Sequence, residues 1–405
     1  MPRPRLLVLN QYYWPGVEAT AHLLSELCEA LSRDYEVTVV TGRLHAFPDL
    51  PDRERRNGVE IVRVRSTAYE RSRLLPRASN YASYLAEALR AGLAAEPPDV
   101  VLCMTDPPVV ADVALLVARR FRAPLVVISE DVFPEIAVAL KRLENPVAVG
   151  LLRLLVRFYL RRADRLVAIG ETMRRRLEEK GAAPESISVI PNWVDVEAIT
   201  PASRNNEWAR SHGLTRRFVV MHSGNVGHAQ NLDTLVRSAT LLRDLEALRV
   251  VIIGTGARRH ELIALARTLE VGAVRFLPYQ PRELLSETLS AADVHVVGLA
   301  TGLAGYVVPS RLYGIMAAGK PVIAAADPES ETAQLVDEVG CGLVVPPGNS
   351  LRLAEAIRSC HDGHVDLESM GRRARAFAEA QADRSIAMRR YRELIHEVQA
   401  SAAAG

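Results

Sequence analysis

Short apolar runs of strand length alternate with stretches of helical apolar spacing along almost the whole chain. Near-continuous apolar strands that alternate with helices are typical of a parallel sheet covered on both faces. The alternation occurs in two series, so the sequence predicts an α/β fold with two doubly wound, Rossmann-like domains. Strands of the first series are predicted at Leu6–Asn10, Glu36–Thr41, Val59–Val64, Asp99–Met104, Pro124–Ser129, Arg165–Ile169 and Ser188–Ile190. Strands of the second series are predicted at Phe218–His222, Val250–Ile253, Val274–Leu277, Val294–Val297, Pro321–Ala325 and Gly342–Val345.

A polar, turn-rich segment between Pro191 and Arg216 separates the two series. A chain of 405 residues also fits two domains, at about 100–200 residues per domain. We therefore predict an N-terminal domain at 1–195 and a C-terminal domain at 196–384, with an amphipathic helix at 385–400 that can pack back on the first domain. Because ligands of parallel sheets bind beyond the carboxyl ends of the strands, the site is expected in a cleft between facing domains.

The charge balance argues against a protein whose main partner is nucleic acid. Lys and Arg number 50 and Asp and Glu number 48, whereas nucleic-acid-binding domains usually carry a strong basic excess. Hydrophobic residues at 49% and charged residues at 24% exclude global disorder. The four cysteines stand far apart without metal-ligand spacing, and the first apolar run is too short for a signal segment or a membrane span. A reduced, cytoplasmic setting is therefore predicted.

Three glycine-bearing loops follow predicted strands, where a backbone can approach a ligand closely. The first loop, Asn10–Gly16, precedes a helix whose start would attract an anion. The second loop, Ser223–Asn231, has two glycines but matches neither a dinucleotide fingerprint nor a Walker loop. The third, Gly254-Thr-Gly256, lacks the last glycine of that fingerprint. Each loop taken alone is also compatible with an ordinary turn.

The densest motif is the segment Gly302–Val322, in which a glycine-bearing loop, a helix and a strand follow one another. Ser310 is a natural N-cap residue, and Pro309 fixes the entry into the helix. The amide groups near Ser310, Arg311 and Leu312 are predicted to point at an anion, to which the helix end contributes about half a positive charge. Arg311 adds a full charge, so the motif suits a diphosphate. The alternative is an ordinary capped helix with a solvated arginine.

Five motifs follow one another along the chain, at Val189–Asp195, Ser223–Gly227, Val251–Gly256, Pro309–Ile323 and Gly340–Gly348. Together they resemble retaining glycosyltransferases of family 4, which have the GT-B fold. The likeness is strongest to the branch that includes colanic-acid and O-antigen type transferases, and it covers nearly the whole chain. The segments that begin Asn10-Gln-Tyr-Tyr-Trp-Pro and Glu130-Asp-Val-Phe-Pro also look like that branch.

The resemblance implies a nucleotide-sugar donor, a UDP- or GDP-sugar, that is held mainly by the C-terminal domain. The nucleobase would lie near Phe276–Tyr279, and the diphosphate would lie against Ser310, Arg311 and Leu312. Gly16 would close over the diphosphate from the N-terminal domain, where a glycan or lipid-linked acceptor would enter. The donor-binding residues implied are Gly16, Gly224, Asn225, Gln230, Gly254, Leu277, Pro278, Tyr279, Gly305, Tyr306, Ser310, Arg311 and Leu312.

The chain departs from the pattern of this family at four positions. Many members carry two glutamates eight residues apart in the fourth motif, where this sequence has Tyr306 and Gly314. The second glutamate usually holds the ribose hydroxyls, so that contact is made otherwise or is absent. Many members also have Arg and Lys in the glycine loop, where this sequence has Asn225 and Gln230. Arg311 is therefore expected to carry more than the usual share of the interaction with phosphate.

Glycosyl transfer builds negative charge on the departing diphosphate, which amide donors and a guanidinium can stabilise. The sequence has no DxD motif and no His, Cys or carboxylate cluster, so we predict neither a cofactor nor an obligatory metal. The resemblance implies that the anomeric configuration is retained. Glu130 and Asp131, after the predicted strand Pro124–Ser129, are the carboxylates best placed to orient the sugar or the acceptor, and with Arg311 they form the predicted catalytic set. The helix dipole also explains two acids near a helix start.

A basic and partly apolar segment at 141–176 predicts contact with an anionic membrane surface. It contains ten basic and three acidic residues, a net charge of +7. Arg153, Arg157 and Arg161 share one helical face, and apolar side chains that include Leu151 and Leu154 share the other. A second basic and apolar patch lies at 71–77. We expect a cytoplasmic enzyme that is peripheral at the inner face of the plasma membrane; the alternative is a core helix with a solvated basic face.

Two other functions are compatible with the same fold. A GT-B nucleotide-sugar epimerase or hydrolase would use the donor site without a sugar acceptor, and donor consumption that requires an acceptor would exclude it. The missing glutamate pair favours a non-catalytic nucleotide-sugar binder, and slow donor hydrolysis would argue against one. A nicotinamide dehydrogenase is disfavoured because neither domain has a complete fingerprint.

Overall fold

The computed structural model describes residues 3–16, 18–44, 47–67 and 74–404, without the side chains of residues 74–78 and Ala404. The chain divides into two compact units, one formed by Met1–Pro191 and Ala387–Gly405 and the other by Asn192–Ile386. The division lies at the start of the turn-rich segment, four residues before the predicted boundary. Most of the last helix belongs to the first unit.

The first unit is built on one sheet. Its strands are β1 (Arg5–Leu9), β2 (Glu36–Gly42), β3 (Arg53–Arg56), β4 (Val59–Val64), β5 (Val100–Met104), β6 (Leu125–Ser129), β7 (Arg165–Ala168) and β8 (Ile187–Val189). Over the described residues they form an eight-stranded sheet in the order β3-β4-β2-β1-β5-β6-β7-β8. Its helices are α1 (Ala19–Leu31), α2 (Leu74–Leu93), α3 (Val110–Phe121), α4 (Glu135–Ala139), α5 (Pro146–Leu160) and α6 (Glu171–Glu179).

Strand β3 pairs with β4 antiparallel, whereas the apolar runs predict only parallel strands. The sequence of β3, Arg-Glu-Arg-Arg, has no apolar run because the strand lies at the edge of the sheet, where both of its faces can stay polar. Asn57 and Gly58 connect the two strands with φ values of 47° and 86°. An Asn-Gly pair is the usual turn of a two-residue hairpin, so the local signal for this strand is the turn.

The second unit has the same plan. Its strands are β9 (Phe218–Ser223), β10 (Leu248–Ile253), β11 (Val274–Leu277), β12 (Val294–Gly298), β13 (Val322–Ala325) and β14 (Gly342–Val345). Over the described residues they form a six-stranded parallel sheet in the order β11-β10-β9-β12-β13-β14. Its helices are α7 (Glu207–Ser211), α8 (Asp233–Thr240), α9 (Arg259–Thr268), α10 (Leu285–Ser290), α11 (Arg311–Ala317), α12 (Glu331–Val339), α13 (Ser350–His361) and α14 (Leu367–Gln381). One-turn 3-10 helices occur at Pro184–Ser186 in the first unit and at Arg282–Leu284 in the second.

In each sheet the strand order reverses at one point, between β1 and β5 in the first unit and between β9 and β12 in the second. The central strands are buried on both faces, as their continuous apolar sequences predict. Ligands of doubly wound sheets bind beyond the carboxyl ends of the strands at such a reversal. A ligand site in the second unit is therefore expected at the loops that follow β9 and β12.

The last helix, α15 (Arg384–Ala404), packs on the first unit. The Arg392 guanidinium lies 3.1 Å from the Asp34 carboxylate and donates to the Ala30 carbonyl at 3.1 Å. The Tyr35 hydroxyl donates to Gln399 at 3.1 Å. None of the helices in the described parts of the chain is both long enough and apolar enough to cross a bilayer.

Asp112 in the first turn of α3 makes the stability of the first unit depend on pH. Burial raises the pKa of its carboxyl to about 7, whereas an unfolded chain has a value near ~3.9. The folded unit then keeps a proton that the unfolded chain releases, so this contribution to stability is lost as the pH rises towards 7. We expect Asp112→Asn to raise the thermal midpoint over the wild type at pH 8 and by roughly a third as much at pH 5, because the effect grows between the unfolded and the folded pKa. The exposed Glu96→Gln is the control, and equal shifts at both pH values would contradict the prediction.

Candidate functional site

Two glycine loops at the carboxyl ends of β9 and β10 interlock through their backbones. The Gly224 amide donates to the Ile253 carbonyl at 2.9 Å, and the Val226 amide donates to the Thr255 carbonyl at 2.8 Å. Gly254 adopts φ +134°, and a Cβ atom at this position would lie only 1.9 Å from the Gly224 carbonyl oxygen. Only glycine allows this approach, because the neighbouring atom is rigid backbone. The two loops therefore form one platform.

Arg311, at the start of α11, lies on this platform. A Cβ atom at Gly224 would be 3.2 Å from the Cζ atom of Arg311 and 3.4 Å from its Nε atom. Gly224 has φ +138°, which side-chain-bearing residues rarely adopt. The glycine thus supplies both the turn and the space in which the guanidinium rests against backbone.

His222, the penultimate residue of β9, holds the other side of this guanidinium. Nη1 of Arg311 lies 2.7 Å from Nε2 of the imidazole, and Nδ1 lies 3.4 Å from the Val296 carbonyl of β12. Nδ1 also lies 3.2 Å from Nη1 of Arg311, and Nε2 lies 3.3 Å from the Asn225 carbonyl. In either neutral tautomer, one ring nitrogen donates to a backbone carbonyl and the other accepts from Arg311. Burial, followed by the charge of Arg311, holds the pKa of His222 well below its usual range. The imidazole is therefore an acceptor for Arg311 at neutral pH.

Arg311 stays charged in this setting. Burial lowers its pKa to about 10, and the nearby Tyr279 acts in the opposite direction. A partly desolvated guanidinium that is still protonated at neutral pH interacts with an anion more strongly than one in water. Tyr279 is exposed, and its Cε1 atom lies 3.3 Å from the position of a Cβ atom at Gly254. The predicted donor-binding residues Gly224, Gly254, Tyr279 and Arg311 are therefore neighbours in the structure.

Asn225 and Gln230 shape the first glycine loop. The side-chain carbonyl of Gln230 accepts from the Gly227 amide at 3.0 Å. A Cβ atom at Gly256 would lie 2.6 Å from Oδ1 of Asn225. Gln230 thus supports the turn of its own loop, and the uncharged Asn225 side chain lies where the two glycine loops meet. Leu277 is partly buried and Pro278 is exposed beside Tyr279, at the end of β11.

The start of α11 differs from the prediction in two respects. Ser310 already has helical backbone angles, φ −59° and ψ −24°, and its side chain makes no cap hydrogen bond. A capping side chain needs an extended backbone to reach the amides of the next turn, so Ser310 is not a side-chain N-cap. The Leu312 amide donates to the Pro309 carbonyl at 3.2 Å. Leu312 therefore does not offer a free amide to an anion.

The loop before α11 is hydrogen-bonded to the segment that follows β13 and is closed by a turn of its own. The Gly302 amide donates to Asp327 at 2.7 Å, and the Tyr306 amide donates to the Leu303 carbonyl at 3.0 Å. Gly305 is buried with φ +79°, whereas Tyr306 is partly buried. These two predicted residues lie in the connection between β12 and α11, and β12 is one of the two strands that flank the point of reversal.

The predicted residues of the first unit also lie at carboxyl ends of strands. The Thr105 hydroxyl, after β5, accepts from the Glu130 amide at 3.1 Å and from the Asp131 amide at 3.4 Å. Asp131 is exposed, whereas Glu130 is buried, and its charge adds to burial in raising the pKa of Tyr391 in α15. Gly16 forms a tight turn in which its amide donates to the Tyr13 carbonyl at 2.8 Å. Of the two acids, the structure leaves Asp131 at the surface.

Across the described parts of the chain, no three His, Cys, Asp or Glu side chains are grouped as metal ligands would be.

His222 is a site residue whose role the sequence did not predict, because a histidine at the end of a strand is more often packed in the core than placed to hold a functional side chain. The available signal was its place beside the glycine loop.

Replacement of His222 should impair the site through Arg311. In His222→Leu the volume is kept and the acceptor is lost, so we expect kcat/KM to fall about tenfold or more, as for a hydrogen bond to a charged group. In the Arg311→Ala background the same change should cost less than about twofold, because the shared interaction is already gone. His295→Leu is the matched control, since His295 is a buried histidine of β12 that bonds the Leu289 carbonyl. Additive losses in the double variant would show that His222 is merely structural.

Comparison with known proteins relates both units to enzymes of one kind. The family described as "Glycosyl transferase 4-like domain" matches residues 16–193, and the family described as "Glycosyl transferases group 1" matches residues 204–377. "Probable glycosyltransferase WbjE" of Pseudomonas aeruginosa is 31% identical over 281 residues, which are 67% of this chain and 68% of that protein. WcaI of Escherichia coli, named for colanic acid biosynthesis, is 28% identical over 236 residues, which are 57% of each chain.

A solved structure extends the likeness over nearly the whole chain. Anabaena HepE in complex with UDP has a TM-score of 0.75 and 17% identity, and the match covers 97% of this chain and 100% of that one. HepE has also been solved in complex with UDP-glucose. At 17% identity, this likeness is evidence for the fold alone.

Proposed function

The chain belongs to the glycosyltransferases of the GT-B, family-4 type, and we propose that it transfers a sugar from a nucleotide-diphosphate sugar to a hydroxyl acceptor. The resemblance drawn from the five motifs is confirmed for the family and the fold. One observation supports the proposal most: Arg311 rests between the Gly224 backbone and the His222 imidazole. A guanidinium held in place in this way suits an anion that must be bound without rearrangement.

The proposed task of Arg311 is to stabilise the departing diphosphate. Breaking the glycosidic bond moves an electron pair onto the diphosphate oxygen, and a preorganised cation lowers the energy of that charge. The Gln230 side chain accepts a hydrogen bond from the Gly227 amide of its own loop, and Asn225 is uncharged, so Arg311 is the charged member of this cluster. Arg311 would then supply the positive charge that the resemblance leads one to expect at those two positions.

We propose a UDP-sugar as the first donor class to test and a GDP-sugar as the second. HepE, which shares the fold, binds UDP and UDP-glucose. Tyr279 stands exposed beside Gly254 and supplies an aromatic surface for a base. Leu277 and Pro278 would continue that surface.

The finer features of the proposed reaction are retention of the anomeric configuration, independence of a divalent metal, and a lipid-linked or polysaccharide-precursor acceptor. The relative WcaI, named for colanic acid biosynthesis, supports the acceptor class. Asp131, exposed and anchored through its amide to Thr105, is the carboxylate that we propose orients the acceptor or the sugar. A cytoplasmic enzyme is expected, because nucleotide sugars would be supplied there.

Ligand binding is tested by thermal unfolding in a panel of UDP, GDP, UDP-sugars and GDP-sugars. A bound ligand at about 100 times its Kd stabilises the protein by about 2.7 kcal/mol, so the preferred nucleotide should raise the melting temperature most. Arg311→Ala should abolish that rise. A panel in which no nucleotide shifts the wild type would contradict the proposal.

Transfer is tested by incubating the preferred donor with bacterial lipid-linked oligosaccharides, with and without EDTA. We expect donor consumption that requires the acceptor and persists in EDTA, and a product that keeps the anomeric configuration of the donor by NMR. Consumption without acceptor would favour the epimerase or hydrolase, and loss of activity in EDTA that Mg²⁺ restores would overturn metal independence.

A further inference from the structure

An apolar stripe runs along the exposed side of α5. Its members, spaced at intervals of four and three residues, are Val147, Leu151, Leu154 and Phe158, with exposed fractions of 79%, 58%, 65% and 37%. This spacing places them on one helical face. On the opposite face Val149, Val156 and Tyr159 are buried against the unit, so α5 already has its core contacts and the exposed stripe serves none of them.

The stripe continues onto the neighbouring helix α3. Leu116 of α3 is 50% exposed. The guanidinium carbon of Arg119 in α3 lies 5.7 Å from the centre of the Phe158 ring, which joins the exposed surfaces of the two helices. We call the set Leu116, Val147, Leu151, Leu154 and Phe158 the α5 patch.

Arginines surround the α5 patch. The Arg162 guanidinium lies 4.2 Å from the centre of the Phe158 ring, and those of Arg157 and Arg161 lie beside Gly181. Within the described residues, none of these three is in an ion pair with an acid, whereas Arg153 is paired with Glu135 at 3.0 Å. Glu144 and Asp164 are the acids nearest in sequence, and Asp164 accepts from the Leu125 amide. The rim is therefore strongly basic.

From this arrangement we propose that the α5 patch and its arginine rim bind the surface of an anionic lipid bilayer. Exposed apolar side chains can enter the boundary between headgroups and acyl chains, while the arginines around them meet lipid phosphates. Charge complementarity selects this occupant, because a second copy of the chain would bring the same basic rim against itself. The predicted second patch at 71–77 does not bear on the proposal: residues 71–73 lie outside the described residues, as do the side chains of 74–77.

The proposal is tested by flotation with vesicles of phosphatidylcholine alone or with about one third phosphatidylglycerol. The full chain should float with the anionic vesicles, less so as salt rises, and not with the neutral ones. Leu151→Ser with Leu154→Ser should weaken vesicle binding about tenfold, since binding scales with inserted apolar area. Arg157→Gln with Arg161→Gln should weaken it roughly fivefold per charge.

Matched controls come from the second unit. Leu351 has the same exposed fraction as Leu151, 58%, so Leu351→Ser should leave binding unchanged. Arg237 and Arg267 are exposed arginines of α8 and α9, so Arg237→Gln with Arg267→Gln should leave it unchanged too. Unaltered thermal midpoints confirm that the variants fold, and their response to nucleotides reports separately on the proposed donor site. Absence of flotation at low salt would overturn the proposal. So would a wild-type dimer that the leucine variant converts to a monomer without changing vesicle binding, because the α5 patch would then be a protein interface.

Discussion

Replacement of Arg311 by alanine should lower kcat with a nucleotide-sugar donor about 10²- to 10³-fold and weaken donor binding. Removal of one preorganised donor to a developing negative charge typically costs ~3–4 kcal/mol in the transition state. Here the expected loss lies at the upper end of that range, since Asn225 and Gln230 in the adjacent loop carry no charge that could take over the role of Arg311. Steady-state kinetics and nucleotide binding by calorimetry measure the two effects.

The conservative variant Arg311→Lys separates charge from geometry. A lysine keeps the charge but cannot both rest flat against Gly224 and donate to His222, so an intermediate loss is expected. Arg352→Ala is the control, because that arginine is exposed and pairs with Glu355 on the same helix. An Arg311→Ala enzyme with unchanged kcat and donor affinity would remove the diphosphate role from this residue.

The largest effect on stability is expected for Gly254→Ala. The new Cβ atom would lie 1.9 Å from the Gly224 carbonyl oxygen, at a backbone φ of +134°. The unfavourable backbone conformation costs about 1–3 kcal/mol, and overpacking against rigid backbone adds about 1–3 kcal/mol. A total of this size is a large part of the stability of most domains. The melting temperature of the second unit and nucleotide binding should therefore fall together.

Gly272→Ala is the matched control for this prediction. Gly272 has no heavy atom within 4 Å of its Cβ position and no positive φ, so its replacement should leave stability and nucleotide binding close to wild type. Equal melting temperatures for Gly254→Ala and the wild type would show that the two loops can separate without cost. The platform under Arg311 would then not be rigid.

Periodicity predicted most of the fold because each buried strand carries its own signal. The runs at Val59–Val64 and Val274–Leu277 match strands β4 and β11 residue for residue. Strand β3 was missed because an edge strand needs no apolar run, and Asn57-Gly58 was its only local mark. The sequence also predicts a last helix that ends at residue 400, whereas α15 continues to Ala404.

The site was predicted in its parts. Glycine loops after strands, and a proline and an arginine before a helix, are local patterns, and the structure brings Gly224, Gly254, Tyr279 and Arg311 together. The N-cap role of Ser310 failed because the Pro309 carbonyl already bonds the Leu312 amide, which begins the helical turn earlier. No local pattern distinguishes a capping serine from one that already lies inside the turn.

The sequence by itself determined the family, the two doubly wound units and the glycines at the strand ends, because these depend on periodicity and short motifs within one stretch of chain. Only the tertiary structure decided that His222 holds Arg311, that Glu130 is buried while Asp131 is exposed, and that the apolar side of α5 faces outward. Each of these depends on which residues distant in sequence become neighbours. Burial and hydrogen-bond partners are properties of that packing, so the same side chain can be core, ligand contact or surface until the chain has folded.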